Sequence, residues 1–410
     1  MATGPFGSAI SSKFFVEKGV PVIRGSNLST TIGSRLSHHK LVFISEELAD
    51  SFHRSEVRSG DLIFTCWGTI GQVGLIDKRA QYDRYIVSNK QMKLTPDPST
   101  ATSLFLYYLF SSPLIMSAIQ GEKIGSSVPG FNLGQLKAVQ LPLPPLPEQR
   151  RIAAVLGALD DKIELNRKMN RTLEEMAQAI FKSWFIDFDG VPASELVESE
   201  LGLIPKGWEV KPLVTLTSYL RRGLSPKYVV EGGVTVINQK CIRDFRVNLS
   251  KARRHDPNQR KINGRILQVG DVLVNSTGVG TLGRIAQLPS VDEQLVCDSH
   301  ITVVRAATEV DATFFGACMM WLQPQIEALG HGSTGQTELR KQDVEQLEIV
   351  VPATAEQQRF GDLVRPIRKK MLSNERESRT LTTLRDTLLP KLISGEIRVP
   401  EAETLIQAAP

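Results

Sequence analysis

Two long stretches of the chain place apolar residues at three- and four-residue steps, the spacing of a helix that buries one stripe against another helix. The first stripe consists of Ile152, Val155, Leu159, Ile163, Asn166, Met169, Leu173, Met176, Ile180 and Trp184. The second consists of Phe360, Leu363, Ile367, Met371, Asn374, Leu381, Leu384, Leu388 and Leu392. We predict two coiled-coil helices, each of about 36 residues and about 54 Å long.

Each stripe contains an asparagine at an equivalent position, Asn166 in the first and Asn374 in the second. A buried asparagine pair would fix the register of two helices at some cost in stability, whereas exposed asparagines would have no such role. The pattern alone leaves both alternatives open.

The two stripes belong to a repeat that covers nearly the whole chain, with a shift of 208 to 214 residues. Four blocks match in the same order along the chain: 19–23 with 233–237, 59–64 with 269–274, 70–76 with 279–285, and 141–152 with 349–360. A period this long exceeds that of solenoid repeats. It indicates duplication of a whole domain together with its helix.

Short β-rich runs alternate with turn residues inside each repeat. We predict strands at 20–24, 61–65, 234–238, 271–275 and 301–305, and helices at 103–119 and 312–329. The fold class is therefore α/β (α+β): two pseudo-symmetric globular domains, each with a mostly antiparallel sheet, together with two long coiled-coil helices. The predicted segments are a first domain 1–147, a helix 148–188, an acidic linker 189–204, a second domain 205–354, a helix 355–396 and a tail 397–410.

Composition and local sequence patterns argue against a zinc protein, a secreted protein and a membrane-spanning protein. Hydrophobic residues make up 41% and charged residues 23%, and the net charge of +5 permits a polyanionic partner without requiring one. The four cysteines form no C-x-x-C pair, so we expect reduced, buried thiols in a cytoplasmic protein and no metal site. The first ten residues lack the pattern of a signal peptide, and no apolar run is long enough to cross a bilayer.

Several motifs in and around the helices resemble the specificity subunit of type I restriction–modification systems. These are LPPLPEQRRIAAVL at 143–156, LDDKIELN at 159–166, AIFKSWFIDF at 179–188, IPKGW at 204–208 and LPKLISGEIRV at 389–399. The second motif contains the family's D-x-x-I-x-x-N pattern at Asp160, Ile163 and Asn166. Nothing before residue 1 corresponds to 203–214, so we expect the first domain to be short at its N-terminal edge.

The resemblance implies a non-catalytic subunit without a cofactor, in which each globular domain is a target recognition domain. It also implies that the two long helices pack antiparallel and separate these two domains. Such a subunit binds double-stranded DNA and two methyltransferase subunits, which motor–nuclease subunits join for restriction. The DNA target would have two halves separated by a spacer. We expect the partner-binding helices to use Ile163, Asn166, Leu173, Asn374, Leu381 and Leu388.

Basic and polar clusters are the candidates for DNA contact, because lysine and arginine neutralise phosphates and polar side chains read base edges. In the second domain they are Gln239, Lys240, Arg243, Arg253, Arg254, Lys261, Arg265, Thr334 and Arg340. In the first domain they are Arg24, Ser26, Asn27, Arg35, Lys40, Lys123 and Ser126. A solvated basic loop and ordinary turn residues are the alternatives.

Two other functions remain open from the sequence. A coiled-coil adapter would join two ligand-binding globules without touching DNA. A nucleotide-dependent enzyme would use the G-x-G-x-x-G segment of Gly278, Gly280 and Gly283, but the following residues predict a strand instead of the required helix, so we interpret it as a hairpin. Four aromatic residues end the first helix (Phe181, Trp184, Phe185 and Phe188); they form a partner surface or pack against the adjoining domain.

Overall fold

The computed structural model describes residues 1–121, 130–331 and 337–408, which form two compact units. The first unit comprises residues 1–167 and 375–410, and the second comprises residues 168–374. Each unit therefore contains one globular domain together with a part of both long helices.

The first half of the chain contains eight strands and five α-helices among its described residues. The strands are β1 (Ala2–Thr3), β2 (Val20–Ile23), β3 (Val42–Ile44), β4 (Glu56–Val57), β5 (Leu62–Thr65), β6 (Val73–Leu75), β7 (Tyr85–Val87) and β8 (Gln91–Leu94). The helices are α1 (Glu46–Asp50), α2 (Ser103–Ser111), α3 (Pro113–Gly121), α4 (Leu133–Ala138) and the long α5 (Leu146–Phe185).

The second half repeats this order with additional strands. These are β9 (Leu196–Ser199), β10 (Gly202–Pro205), β11 (Glu209–Pro212), β12 (Thr217–Arg222), β13 (Tyr228–Val229), β14 (Val234–Ile237), β15 (Ile242–Arg243), β16 (Arg246–Val247), β17 (Arg253–His255), β18 (Val272–Asn275), β19 (Ile285–Gln287), β20 (Leu295–Cys297), β21 (Ile301–Ala306) and β22 (Glu348–Val351). The helices are α6 (Ala312–Trp321), α7 (Gln323–Ala328), α8 (Lys341–Glu345), the long α9 (Thr354–Ser394) and α10 (Val399–Gln407).

Each globular domain contains two four-stranded sheets. An antiparallel sheet has the order β1-β8-β5-β6 in the first domain and β12-β21-β18-β19 in the second. A mixed sheet has the order β3-β2-β7-β4 or β13-β17-β14-β20, and it contains one parallel pair, β2 with β7 or β14 with β20. The mixed α and β fold class is confirmed, and the expected single sheet is in fact two.

Equivalent hydrogen bonds show that the repeat is structural. The backbone N–H of Gly60 donates to Ile76 O at 2.8 Å, and that of Gly270 donates to Leu288 O at 2.9 Å. Both glycines have positive φ, 95° and 91°, a conformation that glycine adopts without steric cost. The matching G-D dipeptides therefore mark the same turn in both domains.

A buried glutamine fixes the start of each long helix to its own domain. In the first unit, Gln149 Nε2 donates to Thr100 O (3.0 Å) and Pro144 O (2.9 Å), while its Oε1 accepts from Thr102 N (3.0 Å), just before α2. Gln149 is 1% exposed. Its amide thus satisfies three backbone groups where two helices begin.

The second unit repeats the same anchor. Gln357 Nε2 donates to Pro352 O (2.9 Å), and its Oε1 accepts from Asp311 N (3.2 Å), at the N-cap of α6. Gln357 is 3% exposed. The glutamine of each E-Q motif is therefore a structural anchor.

The long helices pack antiparallel, as their contacts within each unit show. In the first unit, Arg385 Nη1 donates to Asp160 Oδ1 at 2.7 Å, and both side chains are buried. Tyr108 Oη donates to the other oxygen of Asp160 at 2.6 Å. In the second unit, Asn374 Nδ2 donates to Asn170 Oδ1 at 2.8 Å. Contacts pair early residues of α5 with late residues of α9, so the helices run in opposite directions.

The alternatives for the two stripe asparagines are now decided. Asn166 and Asn374 are each 1% exposed, so neither faces solvent. Within the first unit, Asn166 Nδ2 donates to Glu377 Oε2 at 2.9 Å. Polar pairs in an apolar seam favour one register because any slip would leave them unpartnered.

The predicted linker and tail both contain regular structure. β9 and β10 form an antiparallel hairpin at 196–205, which includes the second half of the predicted linker 189–204. α10 occupies most of 397–410, and its Val399 and Ala402 are buried in the core of the first unit. The C-terminal segment is thus part of the first unit's core.

The aromatic end of α5 packs against the adjoining domain. Phe181 and Phe185 are each 4% exposed and belong to the core of the second unit. The ring centroids of Phe185 and Phe314 lie 5.0 Å apart, and those of Phe188 and Trp208 lie 5.5 Å apart. These contacts favour the domain-packing interpretation over a partner surface.

The described part of the chain contains no helix long and apolar enough to cross a membrane, and no cluster of three potential metal ligands. All four cysteines are buried and unpaired. Burial raises the pKa of Cys66 and of Cys318 to about 12, because the thiolate loses its hydration. These two thiols are therefore protonated at neutral pH.

The glutamine anchors generate a stability prediction. Gln149→Leu and Gln357→Leu should each lower the free energy of unfolding by about 2–3 kcal/mol, because buried backbone groups lose their partners. Urea denaturation measures the change. Gln140→Leu, at an exposed position, is the control and should stay within about 0.5 kcal/mol. Equal stability of all three variants would contradict the anchor role.

Candidate nucleic-acid interface

Three chain segments meet at one place in the first domain, which we call the first junction. They are residues 24–28 after β2, the loop 66–72 between β5 and β6, and residues 88–91 at the start of β8. Cys66 N donates to Lys90 O at 2.7 Å, and Ser88 N donates to Ile23 O at 2.9 Å. These backbone bonds hold the three segments together.

The side chain of Gln72 completes the first junction. Its Nε2 donates to Gly25 O (3.1 Å) and Leu28 O (2.9 Å), and its Oε1 accepts from Thr65 Oγ1 (2.8 Å). One amide therefore fixes the 24–28 segment against the β5–β6 loop.

Equivalent segments meet in the second domain, at the second junction: 238–242, 276–283 and 298–301. Ser276 N donates to His300 O at 2.8 Å, and Asp298 N donates to Ile237 O at 2.9 Å, as in the first domain. Asn275 Nδ2 donates to Gln239 O at 3.1 Å. The two junctions therefore share one backbone framework.

The exposed side chains differ where the backbone is the same. The first junction exposes Ser26, Trp67, Asn89 and Lys90. The second exposes Lys240, Val279 and His300, and the Nδ1 of His300 lies 2.7 Å from Thr277 Oγ1. A constant framework with variable exposed groups suits proteins that recognise different partners with one fold.

The glycine loop of the second junction is a hairpin connection. β18 and β19, on either side of it, pair antiparallel. Gly278, Gly280 and Gly283 all have positive φ, and a Cβ on Gly283 would lie 2.8 Å from the Cα of Glu327. Because a strand follows this loop, it lacks the helix N-terminus that a dinucleotide site requires.

The predicted basic cluster of the second domain divides into exposed and structurally engaged residues. Lys240, Arg243 and Lys261 are exposed. Arg254 Nε donates to Gly232 O at 2.7 Å, and Arg265 Nη1 donates to Gly223 O at 2.6 Å. The last two therefore stabilise the fold as well as adding positive charge.

Aromatic and acidic neighbours shape this surface further. The Arg253 guanidinium lies 3.4 Å from the ring centroid of Tyr228, a cation–π contact that holds the exposed Arg253 side chain in place.

Burial raises the pKa of Asp298 in the second junction, even though His300 N donates to its Oδ1 at 2.9 Å. Asp244 and Phe245 form the tight turn between β15 and β16, and both have positive φ, 50° and 58°, a conformation that is uncommon for residues other than glycine.

Two of the residues predicted in the first domain are buried. Arg35 is 5% exposed and forms an ion pair with Asp77. Asn27 is 1% exposed, and its Nδ2 donates to Ser37 O (3.0 Å) and His39 O (3.1 Å). Both side chains are occupied in holding the loop 27–39, so we leave them out of the proposed DNA-contact set.

The other predicted residues have mixed outcomes. Ser26, Lys40 and Arg340 are exposed, while Arg24 and Gln239 are half-buried at the junctions. Lys123, Ser126 and Thr334 lie outside the described residues. The pattern gave no reason to select Trp67, Lys90 or His300; only a comparison of the two junctions, position by position, singles them out.

The predicted partner-binding residues lie mostly inside the helix packing. Ile163, Asn166, Asn374 and Leu388 are at most 2% exposed, and Leu173 and Leu381 are half-buried. Exposed apolar side chains on the long helices are instead Leu165, Met176 and Leu363. The predicted residues are therefore mostly engaged in packing within each unit, and the exposed apolar residues stand at other positions of the helices.

Comparison with known proteins gives a consistent result. Residues 7–175 and 205–382 each match the family model described as type I restriction modification DNA specificity domain. The chain is 27% identical over 365 residues to the type I restriction enzyme MjaIX specificity subunit of Methanocaldococcus jannaschii, covering 83% of this chain and 78% of that protein. It is 25% identical over 389 residues to the HindI specificity subunit of Haemophilus influenzae, covering 77% and 82%.

A solved structure has a similar fold. The crystal structure of the type I restriction–modification system S subunit from M. genitalium aligns with a TM-score of 0.58 at 15% identity, covering 95% of this chain and 92% of that one. The two stretches matched by the family model correspond to the two halves of the repeat.

The burial of Arg35 generates a prediction that separates a structural role from a surface role. Arg35→Met should lower the free energy of unfolding by about 3 kcal/mol, because Asp77 would keep a largely buried charge without its partner. Lys40→Met, a few residues away and exposed, should change it by less than about 0.5 kcal/mol. Thermal or urea denaturation of both variants provides the comparison; similar small changes would place Arg35 among the dispensable surface charges.

Proposed function

Because this chain belongs to the type I restriction–modification DNA specificity family, we propose that it recognises a bipartite duplex target, with one half-site for each domain. The observation that supports this proposal is the pair of junctions: equivalent backbone hydrogen bonds present different exposed side chains in the two domains. Two different half-sites need two different sets of side chains on one framework. As a specificity subunit, the chain is a recognition component rather than an enzyme.

We propose that phosphate contacts come from the exposed cations and base contacts from the junctions. Lys240, Arg243, Lys261 and Arg253 supply the charge in the second domain, and Lys40 and Lys90 supply it in the first. Ser26, Trp67 and Asn89 in the first junction, and Gln239 and His300 in the second, are the groups placed to meet bases. The coiled-coil adapter remains the alternative, and salt-dependent DNA binding separates the two.

We also propose that two methyltransferase subunits dock on the exposed faces of α5 and α9, and that motor–nuclease subunits join through them. The exposed Leu165, Met176 and Leu363 support this docking, because apolar residues exposed on helices suit a helical partner. An apolar cavity of about 290 Å³ beside the helices in the second unit, whose lining includes Met320 and the exposed Trp321, adds to that surface. We propose that this assembly works in the cytoplasm.

Charge removal tests the DNA contacts. In the complex with methyltransferase, Lys240→Ala, Arg243→Ala and Lys261→Ala should each weaken binding to all duplexes. Each should also reduce the slope of log affinity against log salt by about 0.9 for every phosphate that is no longer neutralised. Fluorescence anisotropy at several salt concentrations measures the slope, with exposed Lys206→Ala as control. If none of the three slopes changed, these cations would not lie on the DNA.

Exchange of one domain tests the modular target. Replacing residues 205–352 with the corresponding domain of another specificity subunit should change one half of the methylated sequence and preserve the other half. Mapping of methylated adenines in host DNA shows both halves and the spacer in one measurement. A change in both halves would contradict the assignment of one half-site to each domain.

A further inference from the structure

A cavity of about 630 Å³ lies at the first junction. All three segments of the junction line it, and its lining includes the exposed Trp67, Asn89 and Lys90, so it is open to solvent. Its deeper lining includes Gly25, Gln72 and Gln91. The cavity therefore combines two aromatic side chains, the exposed Trp67 and the half-buried Phe15, with several hydrogen-bonding groups.

Trp67 is held as a fixed aromatic surface in this cavity. It is 48% exposed, which is unusual for so large an apolar side chain. Gly130 forms an isolated antiparallel bridge with Trp67, and a Cβ on Gly130 would lie 2.5 Å from the indole Cζ3. The glycine backbone thus packs directly against the ring and limits its movement.

Two buried donors in the cavity lining have no acceptor within the described part of the chain. Gln91 is 0% exposed, and its Oε1 accepts from Ser88 Oγ, which leaves Nε2 without a partner among the residues that the structure describes. Arg24 Nε is likewise unpartnered within the described ranges. A buried donor without an acceptor costs about 1–3 kcal/mol, so such groups in a cavity point to a ligand that accepts hydrogen bonds.

The Nε2 atom of Gln91 lies beside this cavity. A Cβ built on Gly25 would lie 3.7 Å from it, and Gly25 lines the cavity. By contrast, Gln72 is already occupied by Thr65, Gly25 and Leu28. The unmet donor capacity is therefore concentrated at Gln91 and Arg24.

The matching segments of the second domain do not contain this combination. Thr277 stands at the place of Trp67, and Ile301 at the place of Gln91. At these two positions the shared framework has an indole and a buried glutamine amide in the first domain and neither group in the second, as expected for a feature of one half-site.

We propose that the cavity of the first domain receives one nucleobase that has left the DNA stack. The base stacks on Trp67 and presents a carbonyl oxygen to Gln91 Nε2. Aromatic stacking and hydrogen bonds to the base edge are the interactions that hold extruded bases in proteins. A phosphate would use the donors but not the indole. This inference rests on the proposed DNA-recognition function.

The test uses the full chain in complex with its methyltransferase subunits, and duplexes that contain the mapped target. At each position of the first half-site in turn, only the opposite base is changed, to give a mismatch. Extrusion requires that a base pair be broken, so a mismatch at the extruded position should tighten binding by about tenfold. A mismatch at the methylated base should also tighten binding, because the methyltransferase itself extrudes that base, and the remaining positions should show no gain.

Variants assign the gain at the extruded position to the cavity. Trp67→Ala should abolish it and Trp67→Phe should retain part of it, because a phenyl ring still stacks. Gly25→Ala should abolish it as well: its φ lies outside the left-handed range, and the new methyl group would lie 3.7 Å from both Gln91 Nε2 and Gln72 Oε1, in the space that the base would occupy. Gly121→Ala, where a Cβ meets nothing within 4 Å, is the matched control and should keep the gain.

A fluorescent base gives a second readout. 2-Aminopurine placed opposite the extruded base should brighten when wild-type complex binds, since it loses its pairing partner, and should not brighten with Gly25→Ala. Specific, salt-dependent binding without any mismatch gain beyond that at the methylated base would overturn the extrusion proposal and leave DNA recognition intact. Equal weakening of all duplexes by Trp67→Ala and Gly25→Ala would also overturn it, in favour of an ordinary contact. Failure of the wild-type complex to bind duplex DNA would instead reject the proposed function.

Discussion

The rest of this structure depends on the amide of one glutamine at the start of each long helix. Gln149 and Gln357 each satisfy backbone groups of both the incoming proline segment and the start of a domain helix, α2 for Gln149 and α6 for Gln357. Because an amide can donate and accept at once, a single side chain couples two helix starts that would otherwise leave buried groups unpaired. The direction of each long helix is thereby tied to the domain that precedes it.

Polar pairs then fix how the two helices pack. Asp160 with Arg385 in the first unit, and Asn170 with Asn374 in the second, stand in seams that apolar residues would fill with equal or greater stability. Their value is specificity: a shift of one helical turn would bury a charge or an amide without a partner. We infer that a DNA target with a spacer of fixed length requires the two helices to pack in a single register.

The junctions show how one framework presents two different sets of side chains. Backbone hydrogen bonds, which do not depend on side-chain identity, hold three segments in the same arrangement in both domains. Substitution at Trp67 or His300 can therefore change the exposed groups of a junction while leaving its scaffold intact. The same independence explains why the two domains match in only a few blocks of sequence.

The sequence by itself determined the long helices, the repeat and the family, because apolar periodicity and the E-Q, D-x-x-I-x-x-N and G-D motifs are local patterns. It also predicted five of the strands correctly, along with the hairpin at Gly278. Only the tertiary structure decided which candidate residues face solvent. Arg35 pairs with Asp77 across 42 positions, and Gln91 lines the same cavity as Trp67, because such contacts depend on which segments the sheets bring together. No spacing along the chain encodes that proximity.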